Sequence, residues 1–180
     1  MTSLGPTLET ERLILRPPVQ DDFELWAQFA ADEVAAKYIG GAQPRGGAWR
    51  GMATIAGSWA LLGFGMFSVL EKESGRWIGR LGPWMPEGWP GTEVGWGVAR
   101  EVQGKGYATE GSAAAIDWAV DLLGWTDIIH CIDPANLASQ NVARRLGATN
   151  RGPGKLPAPF QDAPVDLWGQ SAAQWKARRR

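Results

Sequence analysis

The chain has 180 residues, which is the size of one domain and long enough to bury a core. Hydrophobic residues make up 44% of it and charged residues 21%, an ordinary globular composition. Its 18 basic and 19 acidic side chains give a net charge of −1, which argues against a nucleic-acid-binding surface because phosphate-backbone affinity needs clustered Lys and Arg.

Cysteine and histidine are too few for a structural role as ligands. Cys131 is the one cysteine, so no intrachain disulfide can form, and with His130 it cannot build a zinc cage; we expect both side chains in the core. No stretch approaches the ~20 apolar residues of a membrane-spanning helix, and residues 1–12 do not resemble a signal peptide. We therefore expect a cytoplasmic protein without a membrane partner, ending in a solvated basic tail over 176–180.

The predicted elements alternate between helices and strands. In chain order they are a strand over 12–16, a helix starting at Asp21 and Asp22, helices over 33–39 and 46–62, strands over 66–70, 76–81 and 93–99, a helix over 107–123, a strand over 128–132, a helix over 137–146 and a strand over 165–168. Without an internal repeat or a linker, this pattern predicts one α+β domain over residues 8–175.

Residues 103–110, Gln-Gly-Lys-Gly-Tyr-Ala-Thr-Glu, connect a predicted strand to a predicted helix. Gly104 and Gly106 let the backbone approach a ligand, and the first amides of the helix have no intrahelical partner. This combination favours an anion site for a phosphate or pyrophosphate. The alternative is a plain strand-to-helix turn.

Two nucleotide motifs fail against this segment. A P-loop needs Ser or Thr after Gly104-Lys105 and a glycine at position 99, where the chain has Gly106 and Ala99. A dinucleotide fingerprint needs Gly or Ala three residues after its second glycine, and that position is Thr109.

Three segments in the right order resemble the GNAT superfamily of N-acetyltransferases, and in particular its RimJ/RimL-type branch. They are Thr-Glu-Arg-Leu-Ile-Leu-Arg over 10–16, the Gln-x-x-Gly-x-Ala element within 103–110, and Asp-Pro-Ala-Asn-Leu-Ala-Ser over 133–139 followed by Leu-Gly at 146–147. The resemblance covers roughly residues 8–170. It implies a mixed, largely antiparallel central sheet of six to seven strands flanked by helices, and acetyl-CoA as co-substrate without a metal.

The resemblance also implies which residues bind acetyl-CoA. The backbone of Trp96, Gly97 and Val98 would pair with the pantetheine arm, and the pyrophosphate would lie on the loop formed by Gln103, Gly104, Lys105, Gly106, Tyr107, Ala108 and Thr109. Asn136 and Ser139 would lie beside the arm and the thioester. From the residues alone, Asn136 and Ser139 could equally cap the helix over 137–146.

Acetyl transfer to an amine needs a group that accepts the amine proton and one that protonates the leaving thiolate. Many GNAT members carry a tyrosine seven residues after the helix Asn, but this position is Ala143. The RimJ/RimL resemblance implies Ser139 as the acid instead, with simple hydrogen bonding to the coenzyme as the alternative. Glu93 is the candidate base, expected beside open space left by Gly95 and Gly97; the alternative is a solvated glutamate at a strand end.

The acceptor is expected to be a small amine or a peptide N-terminus. Trp84 and Trp89, with Trp49, could form an aromatic wall for it, and the Pro-rich segment 83–91 around the first two is incompatible with a buried strand. The alternative for these rings is packing on the sheet or across a homodimer contact. Two other readings of the chain are a catalytically inactive acetyl-CoA-binding module and an interaction protein on the same scaffold.

Overall fold

The computed structural model describes residues 4–179. The strands are β1 (Leu8–Glu9), β2 (Leu13–Arg16), β3 (Phe67–Glu71), β4 (Trp77–Trp84), β5 (Glu93–Val98), β6 (Asp127–Ile132), β7 (Thr149–Pro153) and β8 (Asp166–Ser171). The helices are α1 (Phe23–Ala31), α2 (Glu33–Ala36), α3 (Arg45–Leu62), α4 (Tyr107–Asp121), α5 (Leu137–Leu146) and α6 (Ala172–Arg179). All strands form one sheet in the order β1-β2-β3-β4-β5-β6-β8-β7, antiparallel except for the parallel pair β5 and β6.

Helices cover both faces of this sheet. A Cβ on Gly97 of β5 would lie 3.0 Å from Phe29 of α1, so α1 packs on that face. On the opposite face α4 approaches β4 so closely that a Cβ on Gly111 would lie 2.6 Å from the side chain of Leu81. Because side chains alternate along a strand, each residue of β5 faces one of these two layers.

The α+β class with a mixed, largely antiparallel sheet is confirmed, and the strand count of six to seven was slightly low. The additional strands, β1 and β7, lie at the two edges. Neither has a strand pattern in the sequence, since β1 is two residues long and β7 contains Gly152 and Pro153. An edge strand tolerates proline because the missing N–H faces away from the ladder.

The expectation that segment 83–91 excludes a buried strand was wrong for its first residues. β4 continues through Pro83, which is fully buried and pairs with Val94 of β5. On its other side β4 pairs with β3, and this ladder ends where Phe67 of β3 pairs with Leu81. Pro83 therefore lies beyond the β3–β4 ladder. Its missing N–H therefore removes no ladder hydrogen bond.

The basic C-terminal residues are more ordered than a solvated tail. Lys176 and Arg179 lie on α6, and Lys176 Nζ is 3.0 Å from Asp121 on α4. The buried Trp175 holds this helix, because its indole donates a 2.8 Å hydrogen bond to Asp117. Arg180 lies outside the described residues. Within 4–179, no helix is long and apolar enough to cross a membrane.

Candidate active site

β5 and β6 separate at the centre of the sheet. β5 pairs with β4 from Glu93 to Val98, but with β6 it pairs only at Glu93, opposite Ile129. Ile129 N donates to Thr92 O on the β6 side, whereas Ala99 N donates to Ile78 O beside β4. By alternation, the backbone N–H and C=O of Trp96 face the gap between β5 and β6. The gap thus offers an extended ligand the N–H and C=O of Trp96 on the β5 edge, with the N–H of Val98 one pair further along.

Side chains replace the missing ladder near the start of the gap. His130 of β6 hydrogen-bonds through Nδ1 to Val94 O at 2.7 Å, and Cys131 N donates to a Glu93 carboxylate oxygen at 3.0 Å. A carbonyl only accepts, so Nδ1 carries the hydrogen. Burial lowers the pKa of His130 to about 4, which keeps the ring neutral. The expected buried, hydrogen-bonded His130 is confirmed, while Cys131 is only partly buried.

The glycine-rich loop lies at the far end of β5. Gly104 and Gly106 have φ of 80° and 84°, the left-handed region that other residues rarely adopt. α4 begins at Tyr107, so the amides of its first residues have no intrahelical carbonyl to bond. Gln103 Nε2 donates to Val98 O at 3.3 Å and ties the loop to the strand end. That bond occupies the carbonyl of Val98 on the gap side.

Arg12 joins the N-terminal motif to this loop. Its Nε donates to Glu110 of α4 at 2.7 Å, and its Nη1 donates to Lys105 O at 3.1 Å. Its guanidinium also lies 4.4 Å from the centre of the Tyr107 ring. Two sequence motifs that are about a hundred residues apart therefore form one support for the start of α4.

Ser139 and Asn136 lie across the gap from β5. Asn136 Oδ1 accepts a 3.1 Å hydrogen bond from Ser139 N, so Asn136 caps α5. Trp96 Nε1 donates to Ser139 Oγ at 3.2 Å, which leaves the hydroxyl hydrogen of Ser139 available to another acceptor. Ala143 is fully buried one turn further along α5, beside Trp168.

A cavity of about 580 Å³ opens beside the gap. Its walls come from α1, α2, α3, α5, β4, β5, β6 and the segments around residues 37–43 and 156–165. Trp84 and Trp89 line it with ring centroids 6.4 Å apart at 80°, as the expected aromatic wall requires. Trp49 does not belong to this wall, because it packs edge-on against Phe23 at 5.0 Å and is 46% exposed.

Glu93 is a buried carboxyl in this cavity, not a solvated strand-end residue. Its second oxygen accepts a 2.6 Å hydrogen bond from Trp89 Nε1. Burial raises the pKa of Glu93 above its usual range, although the hydrogen bonds from Cys131 and Trp89 and the charge of Arg80 oppose the rise. A carboxyl with a raised pKa in a cavity is well suited to take a proton near neutral pH.

The space above Gly95 and Gly97, which was expected to be open, is filled by neighbouring side chains. A Cβ on Gly95 would lie 2.9 Å from the methyl group of Met66, and one on Gly97 would meet Phe29 at 3.0 Å. These glycines therefore admit neighbouring side chains instead of leaving an open cleft. The free volume lies further out, between Glu93 and the aromatic wall.

Comparisons with known proteins agree with this geometry. Residues 12–149 match the acetyltransferase (GNAT) domain. The chain belongs to the GNAT acetyltransferase family. It is 29% identical over 149 residues to the uncharacterized N-acetyltransferase p20 of Bacillus licheniformis, covering 81% of this chain and 84% of that protein. It is also 31% identical to YkkB of Bacillus subtilis strain 168 over 87 residues, 47% of this chain and about half (51%) of that relative.

Solved structures extend the GNAT similarity to nearly the whole chain. An acetyltransferase from Agrobacterium tumefaciens strain C58 is 30% identical, with a TM-score of 0.81 over 92% of this chain and 94% of that one. RimJ of Mycobacterium smegmatis, solved in complex with CoA-disulfide, has a TM-score of 0.68 at 18% identity over 93% and 90% of the two chains. At 18% identity the second similarity shows the fold alone.

GNAT enzymes use acetyl-CoA, and the residues present fit this co-substrate. The loop amides at the start of α4 suit a pyrophosphate, and the gap beside Trp96 suits an extended arm. Thr109 Oγ1, in the first turn of α4, is a buried hydroxyl without a hydrogen-bond partner among the described residues. Across residues 4–179, no three His, Cys, Asp or Glu side chains are arranged to hold a metal ion.

Sequence reasoning about this GNAT site missed several cavity residues. Arg80, Met66 and Phe160 all line the cavity. For Arg80 a signal was available, because the period of two places it on the same strand face as Trp84. Phe160 comes from a segment with no regular structure and had no such signal.

Proposed function

We propose that this protein is an acetyl-CoA-dependent N-acetyltransferase of the RimJ/RimL type that acts on a primary amine of a small molecule or of a peptide N-terminus. One observation carries the proposal: the cavity reaches the gap, since its walls include Glu93 together with Trp96 and Ser139. An amine in the cavity can therefore meet a thioester in the gap directly, in a ternary complex.

Acetyl-CoA supplies the activated acyl group, and the chain positions it and moves protons. The free amides of Gly104 and of residues 106–109 hold the pyrophosphate, since the N–H of Lys105 donates to Val102 O, and the backbone of Trp96 pairs with the arm. Gly97 contributes no hydrogen bond, because by alternation its backbone faces β4. Val98 contributes its remaining N–H, since Gln103 takes its carbonyl.

Two side chains carry the proton transfers. The carboxylate of Glu93 accepts the proton of the attacking amine, directly or through water. The hydroxyl of Ser139 donates a proton to the departing thiolate, while Trp96 Nε1 holds its oxygen. Positioning of the two substrates supplies much of the remaining rate.

The test is coenzyme A release from acetyl-CoA across a panel of amino acids, peptide N-termini, polyamines and aminoglycosides, with the acetylated product identified by mass spectrometry. We expect amine-dependent release with at least one class. A thermal shift with acetyl-CoA runs beside it, since a ligand at 100 times its Kd adds about 2.7 kcal/mol of stability. Binding without release from any amine would instead identify an inactive acetyl-CoA-binding module, and the absence of both would leave an interaction protein.

A further inference from the structure

Arg80 is a cation that faces the cavity, and no carboxylate in the described part of the chain forms an ion pair with it. Its Nη1 donates to the thioether of Met66 at 2.7 Å, and its guanidinium lies 6.0 Å from the Trp26 ring. A thioether sulfur is a weak acceptor. Among residues 4–179, no carboxylate lies within 4.0 Å of Arg80, whereas Arg16 on β2, two strands away in the sheet, pairs with Asp22 at 2.7 Å.

This arrangement is costly for the protein alone. Burial lowers the pKa of Arg80 to about 10, although the charge of Glu93 opposes the fall, and the guanidinium stays charged at neutral pH. Arg80 is partly buried, and a charge that is partly removed from water without a hydrogen-bonded carboxylate is poorly compensated, since such groups are normally paired. Most of the five N–H donors of the guanidinium remain open to an anionic ligand in the cavity.

Arg80 and Glu93 face the same cavity from the same side of the sheet. In the β4–β5 register, Arg80 pairs with Gly97 and Trp84 pairs with Glu93, with the pair Gly82–Gly95 between them. Four residues of strand separate the two positions by roughly 13 Å between Cα atoms. The Met66 methyl group covers Gly95, so the floor between the two charges is apolar.

From this juxtaposition we propose that the acceptor is an amino acid: Arg80 binds its carboxylate, Glu93 receives its amine, and the aromatic rings contact its apolar part. The inference rests on the proposed acetyl transfer and narrows its acceptor. Polyamines and aminoglycosides carry only cations, which Arg80 repels. A peptide N-terminus has an amide in place of the carboxylate and leaves the guanidinium unneutralised.

Matched acceptor pairs that differ only in the carboxylate test the inference. They are phenylalanine with phenethylamine, leucine with isoamylamine, and 4-aminobutyrate with propylamine. We expect the acid of at least one pair to exceed its amine about tenfold or more in kcat/KM, as a charge-assisted hydrogen bond to a carboxylate implies. In Arg80→Gln this ratio should fall to about 1 through KM, with Arg80→Lys between the two.

Arg76→Gln is the matched control, since Arg76 is exposed and its ion pair with Glu101 is long, at 3.8 Å. Its acceptor preference should equal that of the wild type. Arg80→Gln should fold, because it removes an unpaired charge, and its Tm should not fall below that of the wild type. If it fails to fold, the ratios in the wild type and in Arg80→Lys decide the matter.

The outcomes separate this inference from the proposed function. Coenzyme A release that favours the plain amines, or an acid preference that Arg80→Gln retains, overturns the amino-acid acceptor while acetyl transfer stands. If no amine releases coenzyme A, calorimetry with phenylalanine and phenethylamine tests the site by itself. Binding of phenylalanine that depends on Arg80 supports the anion site, and equal or absent binding of the two overturns it.

Discussion

Trp96 and Ser139 meet across the gap between β5 and β6, where the indole Nε1 of Trp96 donates a 3.2 Å hydrogen bond to Ser139 Oγ. This bond fixes the oxygen of Ser139 and leaves its hydrogen pointing elsewhere. The N–H of Ser139 is already used by the Asn136 cap. Ser139 can therefore take part in the helix cap and in catalysis at the same time. The cap uses its backbone N–H, and the proposed proton transfer uses its hydroxyl group.

Ser139→Ala should lower kcat by about 100-fold, because general acid catalysis contributes this much or more. The KM for acetyl-CoA should change little if Ser139 acts on the thiolate and not in binding. Steady-state kinetics with acetyl-CoA and a true acceptor measure both. Trp96→Phe, which removes the indole N–H together with one ring of the side chain, should cost less than Ser139→Ala. Unchanged turnover in Ser139→Ala would remove the acid role.

Glu93→Gln should abolish one limb of the pH profile. Since the carboxylate is the active form and burial raises its pKa, kcat/KM of the wild type should rise with pH through a midpoint above the usual range of glutamate. Two acceptors with different amine pKa values distinguish this limb from titration of the acceptor. A midpoint that moves with the acceptor and survives in Glu93→Gln would contradict the base role.

Glu93→Gln should raise the stability of the protein although it lowers its activity. A carboxyl with a raised pKa keeps a proton in the native state that the unfolded chain loses, so its contribution is lost as pH rises. Relative to the wild type, Glu93→Gln should therefore gain stability between acidic and neutral pH. Urea unfolding at several pH values measures the difference.

Gly104→Ala should weaken acetyl-CoA binding through the backbone alone. Nothing lies within 4 Å of a Cβ at Gly104, but its φ of 80° costs a non-glycine residue about 1–2 kcal/mol. Gly57→Ala on α3 is the control, since it also meets nothing and should stabilise the helix by about 1 kcal/mol. Thermal unfolding with and without acetyl-CoA compares the two. Equal effects of the two substitutions would exclude a special role of the loop.

His130 should make the protein sensitive to mild acid. Its pKa falls from 6.5 to about 4 on burial, so the unfolded chain binds a proton that the native state does not. Stability is then complete above pH 6.5 and is lost as pH falls toward 4, by at most about 1.4 kcal/mol per pH unit. In Glu93→Gln, which lacks the opposing contribution of Glu93, this slope near pH 6 belongs to His130, the one histidine of the chain. A stability independent of pH between 7 and 5.5 would contradict it.

Local sequence signals predicted the elements around the coenzyme site well. The helix expected over 137–146 has those bounds because Asn136 caps its start and Gly147, with φ of 95°, ends it. The acceptor side was less predictable. Glu93 is buried through contacts with Trp89 and with Cys131, which is 38 residues away, and no local pattern encodes such a contact.

The tryptophans show the same limit. Trp84 and Trp89 lie close together in the chain and in space, so their wall could be predicted. Trp49 lies in a segment, residues 37–59, that was expected to contact the acceptor, but its position on α3 turns it toward Phe23. The surroundings of Arg80 could not be predicted from the sequence, because they come from β3, β4, β5 and α1, which are distant in the chain.

A crystal structure with coenzyme A tests the central claim most directly. We predict the pantetheine arm between β5 and β6 beside Trp96, the pyrophosphate on the loop amides at the start of α4, and the sulfur within hydrogen-bonding reach of Ser139 Oγ. Coenzyme A bound outside this gap, or a sulfur remote from both Ser139 and the cavity of Glu93, would contradict it.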